Sequence, residues 1–105
     1  MKVYLFSRKY NLYGFTGVSY SVCTHNKRCD ENAEFIHFEN RMGEWLVWNP
    51  LDDRVCNPVK FETLDKTLNF VRDNISKQVE LMTQSKVDPN NIEIVGIKKI
   101  KCINE

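Results

Sequence analysis

Alanine is almost missing from this chain: Ala33 is the only one in 105 residues. Glycine (4), proline (3) and histidine (2) are also scarce. With so few glycines there is no Gly-rich phosphate loop, and no serine sits in a glycine-flanked nucleophile elbow. No apolar run approaches the roughly 20 residues needed to span a bilayer. Charge of one sign is lacking too: 15 Lys and Arg face 14 Asp and Glu, for a formal net charge of +1. That balance excludes a global field steering the molecule to nucleic acid, a membrane or an acidic partner, so electrostatic recognition must be local. The apolar stretch Val3–Phe6 is too short for a signal-peptide core, and no small-residue cleavage site follows it. A cytoplasmic protein is therefore expected, with Cys23, Cys29, Cys56 and Cys102 as reduced thiols. Two disulfides in a secreted domain is the alternative.

What is present is ordinary for a globular domain. The 42% apolar and 28% charged fractions exclude disordered and fibrous classes, and the length suits one domain over residues 1–105. Scarce alanine beside abundant Asn, Lys and Ile accompanies AT-rich coding sequence, frequent in bacteriophages, mobile elements and low-GC bacteria. This association directs attention to a phage accessory protein.

Periodicity divides the chain. Residues 2–7 are rich in β-branched and aromatic types and read as a strand. Residues 10–17, with Asn11, Gly14 and Gly17 among rings, read as a turn or irregular hairpin tip. Val18, Tyr20 and Val22 alternate on one face of a second strand, and 24–32 is a polar loop. Residues 34–39 and 44–49 are two more strands, with Gly43 supplying the tight turn between them. Asn49-Pro50 and Asn57-Pro58 bracket a polar segment, and 59–61 is a short extended piece. The period then changes. Leu64, Leu68, Val71, Ile75, Val79 and Met82 form one apolar helical stripe, with Thr63 as N-cap and Asp65 against the positive end of the dipole. A β-branched last strand covers 91–103, with a bulge near Gly96. The predicted fold is α+β: a mostly antiparallel sheet of about five strands, one helix over about 63–86 packed on one face, and a final strand after it.

Three constellations bear on function. Cys23-x-His25-x-x-x-Cys29, with His37 and Cys56 further on, offers zinc-type ligands, but the spacing lacks the common Cys-x-x-Cys pair and small buried thiols are common. The same groups could form a Cys–His nucleophile, yet nothing nearby would lower a thiol pKa. No paired-carboxylate motif appears, so a non-enzymatic domain without cofactor is expected. The aromatics say more. All but Phe61 and Phe70 precede residue 49, more than one sheet face can bury. Trp45 and Trp48, three apart in a strand, point to opposite faces, and so do Phe35 and Phe38. Arg8, Lys9, Tyr10, Tyr13 and Phe15, with one of Trp45 or Trp48, are the expected contact residues for a protein partner.

The first reading is thus a small protein-interaction domain that binds or inhibits a host protein. The second is a single-stranded nucleic-acid binder using the same loop, opposed by the interleaved acids; Lys98, Lys99 and Lys101 read as a protected sheet edge. The third is a small zinc domain. A homodimer through the aromatic patch or an open edge is the remaining arrangement, and no membrane contact is expected.

Overall fold

The computed structural model describes residues 1–24, 34–51 and 57–96. Six strands form one sheet: β1 (Lys2–Leu12), β2 (Phe15–Cys23), β3 (Glu34–Arg41), β4 (Glu44–Trp48), β5 (Val59–Phe61) and β6 (Glu93–Val95). Their order is β5-β4-β3-β2-β1-β6. The first five make an antiparallel meander, and β6 returns beside β1 as its parallel neighbour. The helix α1 (Leu64–Thr83) forms the crossover to β6 and packs over β3, β4 and β5.

The α+β layout with a helix on one face and a strand after it is the predicted one; the strand count is six because the 59–61 piece joins the sheet edge. The alternation explains the layering. Val18, Tyr20 and Val22 of β2, Ile36 and Phe38 of β3, and Trp45 and Val47 of β4 share the helix side and are buried. Leu68, Val71 and Ile75 of α1 close the core from above. Tyr20 stacks on Phe38 with ring centroids 5.0 Å apart, and Trp45 lies 5.8 Å from Tyr20 and 6.1 Å from Phe38. Phe61 meets Phe70 of the helix at 5.3 Å. Phe35 joins the same buried cluster although its parity is opposite to that of Phe38; the register shift at Val22/Cys23 lies on the strand beside it.

Helix boundaries follow the chemistry of the ends. Thr63 is extended and its side chain accepts from the Lys66 N–H at 3.3 Å, as an N-cap should. The helix stops at Thr83, short of the predicted 86. Gln84 adopts φ 60° and its N–H donates to the Glu80 carbonyl at 2.8 Å, which ends the helix before Pro89 can. The stripe stops early as well: Met82 is exposed. Polar groups under the helix are paired. Asn74 Nδ2 donates to Asn49 Oδ1 at 2.7 Å, and Gln78 Nε2 donates to the Phe35 carbonyl at 2.8 Å.

The predicted turn at 10–17 is instead mostly strand. β1 continues to Leu12, and only Tyr13 and Gly14 form the turn, with φ of 53° and 81°. Met42 and Gly43 repeat this arrangement between β3 and β4, at 54° and 88°. Two central residues with positive φ make the tight hairpin whose twist matches that of the strands. In β6 the described strand covers 93–95, and Gly96 (φ 100°) turns the chain next to the Leu5 carbonyl, at the position of the predicted bulge. The remainder of that predicted strand, with Lys98, Lys99, Lys101 and Cys102, lies outside the described residues. So do residues 25–33, which hold the polar loop from 25 to 32, and residues 52–56. Among the described residues, no helix is long and apolar enough to cross a membrane.

Candidate partner-binding surface

The strand register places both hairpin turns at the same end of the sheet. Gly17 pairs with Tyr10 on one side and with Arg41 on the other. The β3–β4 turn therefore lies level with Gly17, and the β1–β2 hairpin extends beyond it. At this end Tyr13 is 97% exposed, Phe15 59% and Met42 66%. Beyond Leu5 the helix no longer covers β1, since Ser7, Lys9 and Asn11 are exposed on the helix-side face of the hairpin.

Below this apolar end, on the sheet face away from the helix, lies a hydrogen-bonded cluster. Register aligns Arg8, Ser19 and Glu39 in one row and Tyr10, Gly17 and Arg41 in the next. The Tyr10 hydroxyl donates to Glu39 Oε2 at 3.0 Å and accepts from Arg41 Nε at 3.1 Å. Arg41 Nη2 donates to the same carboxylate oxygen at 2.9 Å. His37 Nε2 approaches Glu39 Oε1 at 3.3 Å, and the His37 ring sits 5.5 Å from that of Trp48. An open groove of about 560 Å³ adjoins the cluster; Arg8, Tyr10, Ser19, Glu39 and Arg41 line it together with Lys9 and Asn11.

Gly17 makes this possible. A Cβ there would overlap the Tyr10 phenol, so the ring lies across the glycine, covering a strand position that has no side chain of its own. Gly17→Ala would ordinarily stabilise a strand. Here it should push Tyr10 away from Glu39 and Arg41 and cost about 0.5–1.5 kcal/mol, the net worth of a partly exposed hydrogen bond. Urea unfolding measures this, and a variant more stable than the wild type would remove the glycine from the role given to it.

Burial alone would raise the pKa of Glu39, but the hydrogen bonds from Tyr10, Arg41 and His37 outweigh it and hold the carboxyl below its ordinary value of 4.5. A depressed folded-state pKa contributes stability that is complete above the unfolded value and is lost as pH falls through the folded one. The stability difference between wild type and Glu39→Gln should thus be constant near neutrality and shrink once pH drops below about 4.5. A difference that stays constant down to pH of about 3 would contradict this assignment.

Ser19, His37 and Glu39 bring together the residue types of a hydrolytic triad, but not its geometry. Ser19 Oγ is 3.5 Å from both ring nitrogens of His37, so it faces the ring edge between them. Glu39 takes Nε2, and the nearest acid to Nδ1 is Glu34 at 3.8 Å. A triad needs nucleophile and orienting acid aligned on opposite nitrogens, plus free amides for an oxyanion. The β2 backbone around Ser19 is laddered on both sides.

The other sequence candidates fall as follows. Trp45 is only 2% exposed and belongs to the core, so of the two tryptophans only the half-buried Trp48 remains a candidate contact. Arg8 and Tyr10 share the outer face, Lys9 has the opposite parity, and Tyr13 and Phe15 sit at the tip. Cys23 lies opposite Tyr4, is fully buried and is disulfide-bonded. It is therefore not the reduced thiol expected from the sequence, nor can it serve as a zinc thiolate. His25, Cys29 and Cys56 lie outside the described residues. Among those described, no three His, Cys, Asp or Glu gather as a ligand set.

Met42, Glu39, Arg41, Ser19 and Gly17 were not singled out from the sequence. Their signal is the polar phase of β3 (His37, Glu39, Arg41) alternating with Ile36, Phe38 and Asn40. Such a phase is usually only a solvated face, and pairing with Tyr10 and Gly17 is what gives it form. No family model matches the chain, and neither curated proteins nor solved structures give a match.

Proposed function

We propose that this is a non-enzymatic protein-interaction domain whose contact surface is the hairpin end of the sheet. The carrying observation is the exposure of Tyr13, Phe15 and Met42 at one end, with Tyr13 and Met42 held at positive φ. A bulky side chain in that conformation costs free energy that glycine or asparagine would not, and the Tyr13 ring recovers none of it by burial. Exposed aromatics of this kind bury large area at small entropic cost when a partner arrives. The coding bias supports a phage or mobile-element origin and hence a host protein as target, bound or inhibited. The misaligned Ser19–His37–Glu39 cluster supports a non-catalytic role.

A cytoplasmic location belongs to the same reading, with the Cys23 disulfide as the observation opposing it, since disulfides persist mainly in oxidising compartments. Thiol titration of protein from its native cell, denatured without reductant because Cys23 is fully buried, decides: full reaction of all four cysteines fits the cytoplasm, and unreactive cysteines fit an oxidising compartment.

The test of the binding reading is affinity capture from the source cell or its host with wild type, Tyr13→Ala and Trp48→Ala. Loss of a captured protein with Tyr13→Ala supports the hairpin end. An identical set of partners in both variants counts against it.

A further inference from the structure

We propose that the groove beside Tyr10 and Arg41 takes an acidic, extended peptide segment of the partner. Its carboxylates would meet Arg8 and Arg41, and an apolar side chain would lie against Tyr13 and Phe15. This deepens the hairpin-end reading and rests on it.

Charge complementarity carries the choice of ligand. Two cations face the groove, Arg8 and Arg41, against one carboxylate, Glu39, while Lys9 borders it from the opposite face of β1. That carboxylate is already satisfied by Tyr10, Arg41 and His37, so it claims no more of the positive charge. Among the described residues, no ion pair reaches Arg8 or Lys9. Arg41 spends Nε on Tyr10 and one Nη2 hydrogen on Glu39. A guanidinium has five N–H donors, which leaves three for an incoming carboxylate. Tyr10 and Glu39 fix the guanidinium plane in advance, so little side-chain entropy is lost on binding.

The spacing sets the form of the segment. A strand rises about 3.3 Å per residue, so Arg8 lies roughly 13 Å from the end of β1 at Leu12 with Tyr13 in the turn just beyond, a reach of about five extended residues. The motif is thus acidic residues followed, or preceded, by an apolar one about five positions away. A nucleic-acid strand fits less well. A chain of successive phosphates needs a row of cations, whereas only Arg8 and Arg41 face the groove, enough for one or two carboxylates.

Fluorescence anisotropy with three labelled probes tests this. One is a peptide of about ten residues with Glu at one end and Trp-Leu at the other, one carries Lys in place of Glu, and one is oligo-deoxythymidine of similar length. Wild type should bind the acidic peptide tightest. Arg8→Glu, at an exposed residue outside the hydrogen-bonded cluster, should weaken it at least about tenfold while the melting curve stays put. Equal binding of acidic and basic peptides, tighter binding of the oligonucleotide, no binding of any probe, or indifference to the charge reversal would each overturn the inference. If Tyr13→Ala weakens both peptides alike and charge reversal does nothing, the acidic ligand is refuted and the hairpin-end surface survives. If capture of partners is also independent of Tyr13, both fall.

Discussion

Replacing Trp45 by alanine should lower the stability of the domain by about 3–5 kcal/mol, the usual cost of deleting a large buried ring. Trp45 is enclosed between Tyr20 and Phe38, and its strand neighbours in register are Asn40 and Phe61. The indole therefore bridges β2, β3 and β5, and no single neighbour can collapse into its place. Small domains hold only about 5–15 kcal/mol in total, so the variant should lose much of its margin and unfold at a urea concentration lower by about 1–5 M. Trp48→Ala is the internal control. Its ring is half-buried on the other face, against His37, and its loss should cost well under half as much. Similar midpoints for the two variants would show that the core is not organised around Trp45.

Tyr13→Asn should act in opposite directions on stability and on binding. Asparagine tolerates the left-handed conformation that Tyr13 holds at φ 53°, so the turn should gain about 0.5–1 kcal/mol. The exposed ring has no core contact to lose. Affinity for the partner should fall by at least about tenfold, the effect of deleting one aromatic anchor. Thermal melting and a binding titration on the same sample check both signs. A variant that is less stable, or that binds as before, would mean the ring serves the fold. Phe15 offers no such test, because it lies within β2 and holds no positive φ to relieve.

Much of the fold was legible because two periods differ sharply in this chain. Alternation at Val18, Tyr20 and Val22 against a step of three and four from Leu64 separates strand from helix without ambiguity. Opposite faces for Trp45 and Trp48 followed from the same geometry. What escaped was set by pairing. Nothing local distinguishes Arg8–Leu12 as strand, since the polar residues there interrupt the alternation. They become strand because β2 offers a continuous ladder through Phe15. The helix end was misplaced because Pro89 is a conspicuous stop, whereas the stop in use is the left-handed Gln84. The Cys23 disulfide is not legible in the sequence, because no spacing rule joins two cysteines across a fold.

The candidate surface was half legible. Arg8, Tyr10, Tyr13 and Phe15 stand out as rings and cations close in sequence, but Glu39, Arg41 and Met42 reach them only through the β2–β3 register. Site formation here is a property of three adjacent strands, and a single segment shows only its own share.

The most direct test of the hairpin end as the contact surface is site-specific photo-crosslinking in the native cell. A benzophenone side chain replaces Tyr13 in one protein and Leu81 in another, the latter being 74% exposed near the far end of the helix. Position 13 should yield a discrete adduct that competes with unlabelled wild type, and position 81 should yield none. Adducts from position 81 with none from position 13 would contradict the account and move the contact surface to the helix.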